Sequence, residues 1–165
     1  MEHMVGLKII QSIGSKNMSD NHTETDKMKK ILCIEDENFI SELYTRALRQ
    51  AGYDVTTMLS GEDGLRAAQS NEYDVILLDL MIPGITGFEV LRRLRRENPD
   101  LKAKIIITTN LDQEHESRVE LEKMADGYLI KAEFTPHQLV NIINDILSGT
   151  DPKDSYNEYG DQALS

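Results

Sequence analysis

A chain of 165 residues, 39% hydrophobic and 28% charged, with one cysteine and a formal net charge of −11, has room for one domain with its own core and cannot form an intramolecular disulfide. The acidic excess runs along the whole length, −1 over residues 1–28, −7 over 29–148 and −3 over 149–165, so no segment offers the basic surface that direct nucleic-acid binding needs. No apolar run approaches the ~20 residues of a membrane span, and Val5–Ile13, broken by Gly6, Lys8, Gln11 and Ser12, makes a poor signal peptide; lone-cysteine usage suits a reducing cytoplasm.

Residues 1–28 are polar and aperiodic, which predicts a disordered leader whose opening Met-Glu-His-Met is in part an expression scar. Ile31–Ile34 is a short apolar run that predicts a buried strand, with Cys33 as a small hydrophobe inside it. Phe39-Ile40, Leu43-Tyr44 and Ala47-Leu48 then recur at helical spacing until Ala51-Gly52. Val55–Met58 is a second, more polar strand, and Ser60-Gly61 opens a short helix with Leu65 and Ala68 inward. Val75–Leu78 is the most apolar strand, closed by Asp79. Pro83-Gly84 make a turn, and Thr86 can cap a helix carrying Val90, Leu91 and Leu94. Arg92, Arg93, Arg95 and Arg96 on that helix read as a solvated mixed-charge face rather than a docking patch. Ile105–Ile107 is a fourth strand, Asp112–Met124 a helix with four Glu, and Tyr128–Ile130 a fifth strand. Pro136 starts a last helix with Leu139, Ile142, Ile143 and Ile146 on one stripe. Residues 149–165 read as a flexible acidic tail.

Strands alternating with helices imply a doubly wound parallel sheet, and the continuous apolar runs fit strands covered on both faces. In such sheets ligands sit beyond the carboxyl ends of the strands. There the sequence places Glu35 and Asp36 after strand one, Asp79 after strand three, Thr108 and Thr109 at the end of strand four and Lys131 after strand five. Clustered carboxylates raise one another's pKa, and a hard divalent cation such as Mg²⁺ relieves the conflict while keeping sites for phosphate oxygens. A carboxylate can itself take a phosphoryl group, whose three oxygens then need cations and donors: Mg²⁺, Lys131 and the Thr109 hydroxyl supply them. Glu37 reads as a helix-start charge rather than a ligand. His3, His22, His115 and His137 lack metal-ligand spacing, so zinc is not expected.

The stretches Ile31-Leu32-Cys33-Ile34-Glu35-Asp36-Glu37, Asp79-Leu80-Met81-Ile82-Pro83-Gly84-Ile85-Thr86-Gly87 and Tyr128-Leu129-Ile130-Lys131 resemble bacterial two-component response-regulator receiver domains, over roughly residues 29–148. The resemblance implies a flavodoxin-like, five-stranded parallel sheet of order 2-1-3-4-5, and a signalling module rather than an enzyme. It implies Asp79 as phosphoacceptor, with a sensor histidine kinase as phosphohistidine donor. It implies Mg²⁺ held by Glu35, Asp36, Asp79 and the Met81 backbone carbonyl, with Asp36 the more direct ligand of the acidic pair. Thr109 and Lys131 would bind the phosphoryl oxygens. A hydroxyl swing at Thr109 coupled to the rotamer of Tyr128 would switch a protein-binding surface; Tyr128 as a simply packed aromatic is the rival reading, and Thr108 the rival hydroxyl. The partner downstream is a protein or a phosphotransfer protein, with neither nucleic acid nor membrane contacted directly, and the chain a monomer or weak dimer. Residues 149–165 leave no room for an output domain, so a stand-alone cytoplasmic receiver is expected.

Four residues depart from that pattern. Ala132 follows Lys131 where the family usually has a cis-proline, and a trans bond is the default for a non-proline. Asn110 follows Thr109 where a small residue is common, and it would narrow access to the phosphoryl group or donate to it. Met81 and Leu111 stand where the family flanks the hydrolytic water, and neither side chain orients water strongly, so slow self-dephosphorylation is expected. Met81 also stands where a small-phosphoester hydrolase would carry its second Asp. The remaining alternative is a degenerate receiver that binds its partners constitutively, without phosphorylation.

Overall fold

The computed structural model describes residues 27–110 and 115–150. Most of the expected leader and tail, together with Leu111, lie outside the described residues. The elements alternate as the apolar runs require: β1 Lys30–Ile34, α1 Asn38–Gln50, β2 Asp54–Met58, α2 Gly61–Ala68, β3 Val75–Leu78, α3 Gly87–Glu97, β4 Lys104–Thr109, α4 His115–Met124, β5 Gly127–Ile130 and α5 Pro136–Leu147. A 3₁₀ turn, Lys131–Glu133, joins β5 to the segment before α5.

Three of the helix starts, those of α2, α3 and α5, are capped by side chains. Ser60 accepts from the Asp63 N–H and Thr86 from the Glu89 N–H. Thr135 and Gln138 form a reciprocal capping box ahead of Pro136. Each arrangement satisfies N–H groups that a helix start otherwise leaves orphaned.

The five strands are parallel in the order β2-β1-β3-β4-β5, a flavodoxin-like α/β sheet. Alternation sends successive side chains to opposite faces. Leu32, Ile34, Ile76, Leu78, Ile105 and Ile107 pack against Leu65 of α2, Val90, Leu91 and Leu94 of α3 and Leu121 of α4. Ile31, Cys33, Val75, Leu77, Ile106 and Leu129 pack against Tyr44 and Leu48 of α1 and the α5 stripe Leu139, Ile142, Ile143 and Ile146. Each fully buried Leu or Ile contributes about 1.5–3 kcal/mol, so the sheet is a rigid platform for what stands on its edge.

Register sets that edge. Ile34 lies opposite Leu78, Leu78 opposite Ile107 and Thr109 opposite Ile130. The ladder continues one residue past two strand ends: the Glu35 N–H donates to the Met58 carbonyl and the Asp79 N–H to the Ile34 carbonyl, each at 3.0 Å. Glu35 and Asp79 are thus fixed by backbone where the strand order diverges from β1 to β2 on one side and β3 on the other, the switch point at which such sheets bind ligands.

Candidate phosphoacceptor and metal site

Three carboxylates meet at this edge: ligand oxygens of Glu35, Asp36 and Asp79 all lie within 4.8 Å of one another. Glu35 and Asp79 are buried, at 1% and 2% exposure, and Asp36 is more open. Lys131 reaches into the cluster from the end of β5. Its ammonium donates to Asp79 Oδ2 at 2.7 Å, stands 2.5 Å from Glu35 Oε2 and lies 3.6 Å from Glu37 Oε1. The Lys131–Ala132 bond is trans, since no cis bond occurs among the described residues.

Each acid oxygen has a distinct surrounding. Asp79 Oδ1 accepts from the Met81 N–H at 3.0 Å, leaving Oδ2 to Lys131. Glu35 Oε1 accepts from the Glu37 N–H at 3.1 Å. Glu35 Oε2 has the ammonium as an ion pair but no aligned hydrogen bond. Burial pushes the Glu35 carboxyl above its ordinary range, against the pull of the adjacent Lys131 ammonium. Burial would lower Lys131, but its hydrogen bond to Asp79 and its ion pair with Glu35 outweigh that and hold it above the usual lysine value. Burial and then the Glu35 charge push the Cys33 thiol up to about 12. One lysine cannot balance three acids, and an oxygen-rich pocket with an under-bonded buried carboxylate oxygen is what a hard divalent cation fits.

The loop after Asp79 is clamped by close backbone approach. A Cβ on Gly87 would stand 2.0 Å from the Asp79 carbonyl oxygen, so only glycine lets α3 begin there. The Gly87 N–H donates to the Leu80 carbonyl and the Gly61 N–H to the Pro83 carbonyl, both at 3.1 Å. Gly84 has φ +82, and the Glu62 carboxylate fills the space its Cβ would need; Glu62 Oε1 accepts from the Ile85 N–H at 3.1 Å. Glu62 escaped the sequence reading because an exposed acid in a helix's first turn looks like any other.

Thr108 and Thr109 are both buried at the end of β4, at 2% and 0% exposure. Alternation puts Thr109 on the face of Ile107 and Tyr128, and Thr108 on that of Ile106. Tyr128 is 7% exposed, and the Arg118 guanidinium of α4 lies 5.0 Å from its ring centroid. Met81 is 61% exposed, and Asn110 is exposed at the end of β4.

The arginine-rich helix carries the expected mixed charge at three positions: Arg92 and Arg93 pair with Glu89, and Arg96 with Glu97. Arg95 instead reaches from α3 to the Met124 carbonyl and the Asp126 carboxylate.

An acidic pocket at the switch point, with a buried lysine on its central aspartate, defines a receiver, a signalling module rather than a classical enzyme. The chain belongs to the response regulator receiver domain family, whose model matches residues 31–144; receivers partner with histidine kinases. It is 38% identical over 111 residues to the alkaline phosphatase synthesis transcriptional regulatory protein PhoP of Bacillus subtilis, covering 67% of this chain and 45% of that one. It thus spans about half the length of the curated relatives it matches. Among solved structures it resembles the response regulator TrrA of Thermotoga maritima in complex with Mg²⁺-BeF, with 38% identity, TM-score 0.56 and coverage of 63% of this chain and 87% of that one. It also resembles the chemotaxis protein CheY4 of Vibrio cholerae, with 30% identity, TM-score 0.63 and coverage of 72% and 98%. Among the described residues no helix is long and apolar enough to cross a membrane.

Proposed function

We propose that the protein is a phosphorylation-controlled receiver that accepts a phosphoryl group from a sensor histidine kinase onto Asp79 and thereby switches a protein-binding surface. The observation that carries this reading is the Asp79 carboxylate, buried, held by the Met81 N–H on one oxygen and by Lys131 on the other, beside Glu35 and Asp36. Glu35, Asp36, Asp79 and the Met81 carbonyl would hold Mg²⁺, which supplies positive charge for the transferring phosphoryl oxygens.

The chain's own groups do the rest. The Met81 N–H orients the Asp79 carboxylate. Lys131 already sits on Asp79 Oδ2, and its ammonium would follow the new charge on the acyl phosphate. The Thr109 hydroxyl, at the end of β4, would donate to a further phosphoryl oxygen. Its movement, with a change in Tyr128 on the same face of the sheet, would shift a pre-existing equilibrium of the surface formed by α4, β5 and α5. Met81 and Leu111 orient water weakly, so the acyl phosphate would persist; loss within minutes, with no phosphatase present, would contradict this. The downstream partner is another protein, and a reducing cytoplasm is the compartment in which a histidine kinase would meet this chain.

Beryllofluoride, an acyl-phosphate mimic, tests the site as a unit. With Mg²⁺ it should shift the backbone NMR signals of Thr109, Tyr128 and Lys131, and Asp79→Ala should abolish the shifts. Binding that persists in Asp79→Ala, or shifts far from this edge alone, would overturn the assignment.

A further inference from the structure

We propose that the stacked pair Tyr44–Phe134 is the positioning device for Lys131, tying the turn after β5 to the helix after the acids and so setting the ammonium's reach to Asp79. The inference rests on the reading of Asp79 as phosphoacceptor. Lys131 is buried, yet it opens a 3₁₀ turn whose next two residues, Ala132 and Glu133, are exposed. Phe134, directly after the turn, is anchored in the core: its ring centroid is 5.8 Å from that of Tyr44, with 28° between the planes, and it packs against the core between the sheet, α1 and α5.

Tyr44 is itself fixed, at 4% exposure on the inner face of α1. That helix begins directly after Glu35, Asp36 and Glu37, where the Ser41 N–H donates to the Glu37 carbonyl at 2.9 Å. On the far side of Phe134 the Thr135–Gln138 capping box and Pro136 start α5. The chain from Lys131 to Pro136 is thus pinned by the ammonium, by the ring and by the cap. The ring pins it to the helix that follows Glu35 and Asp36 in the chain. Charge-assisted contacts of 2.5 and 2.7 Å lose their geometry with small displacements of the turn.

Phe134→Leu keeps an apolar side chain and removes the ring, and Phe134→Tyr keeps the ring. The readouts are the ¹⁵N ammonium signal of Lys131 in metal-free protein, slow to exchange because it is buried and bonded, and the initial rate of phosphorylation by acetyl phosphate. Phe134→Tyr should match wild type in both. Phe134→Leu should fold, lose the distinct ammonium signal, bind Mg²⁺ no more weakly and react about ten- to a hundredfold more slowly, as a misplaced group does. Tyr44→Leu against Tyr44→Phe probes the same stack from α1 should Phe134→Leu not fold. Leucine variants that keep the signal and the rate would overturn the proposal, as would a Phe134→Tyr protein as impaired as Phe134→Leu. If wild type takes up no phosphate, the reading of Asp79 fails, while the ammonium signal still decides the stack.

Discussion

The Lys131 ammonium lies between two buried carboxylates, 2.5 Å from Glu35 Oε2 and 2.7 Å from Asp79 Oδ2. In metal-free protein it is the cation that keeps these acids tolerable in the interior, and it occupies an oxygen that a divalent ion would want. Removing one partner of a buried ion pair costs about 3–5 kcal/mol because the other charge is left uncompensated. Lys131→Ala should therefore melt well below wild type in chelator. Mg²⁺ should raise its Tm by more than it raises that of wild type, since the ion then binds an emptier, more negative pocket. Equal Mg²⁺-induced shifts in the two proteins would contradict this competition.

Gly87 is a steric requirement of the site. A methyl group there would meet the Asp79 carbonyl at 2.0 Å, and backbone cannot yield as a side chain tip can. Gly87→Ala should destabilise the fold by about 1–3 kcal/mol, as overpacking does, and should slow phosphorylation by moving Asp79. Denaturant melts and acetyl-phosphate rates check both; a variant with wild-type stability and rate would refute the account of the loop.

At the start of α3, hydrogen bonds from Arg92 and Arg93 hold the Glu89 carboxyl at about 2. A carboxyl depressed on folding adds stability above its ordinary range, and that stability is lost as pH falls through the folded value. Glu89→Gln should lower Tm slightly at neutral pH, less in high salt because the pair faces solvent. The difference from wild type should close as pH falls toward about 2. A difference that persisted in acid would assign the effect to packing instead.

Cys33 is 1% exposed with its thiol pushed up to about 12. Only the thiolate reacts, and only where a reagent can reach it. The native protein should resist iodoacetamide at mildly alkaline pH and react fully in denaturant, read by intact mass. Rapid native alkylation would show that β1 opens readily.

Much of this was legible before any coordinates. The strands announce themselves as unbroken apolar runs because both sheet faces are covered, and the polar residue after each run marks the edge where Glu35, Asp79 and Lys131 meet. The partners of those residues were less legible. That Lys131 bridges Asp79 and Glu35 follows from the register of β1, β3 and β5 and from the length of one side chain, which no local pattern encodes. Tyr44 read as part of a helix's apolar face while Phe134 drew no notice, since the two are far apart in the chain and join only when α1 and α5 pack on one face. Arg95 carried no mark among four arginines; its tie to Asp126 depends on α3 lying beside the end of α4. Thr109 read as the hydroxyl with Thr108 as its rival, and strand alternation places the two on opposite faces of the sheet.

The most direct test of the whole account is intact mass after incubation with acetyl phosphate, with and without Mg²⁺, on wild type and Asp79→Ala side by side. Wild type should show a Mg²⁺-dependent gain of one phosphoryl group, absent in Asp79→Ala and decaying over hours. A phosphoryl group that appears equally in Asp79→Ala, or no gain in wild type from acetyl phosphate or from a phosphorylated histidine kinase, would contradict it.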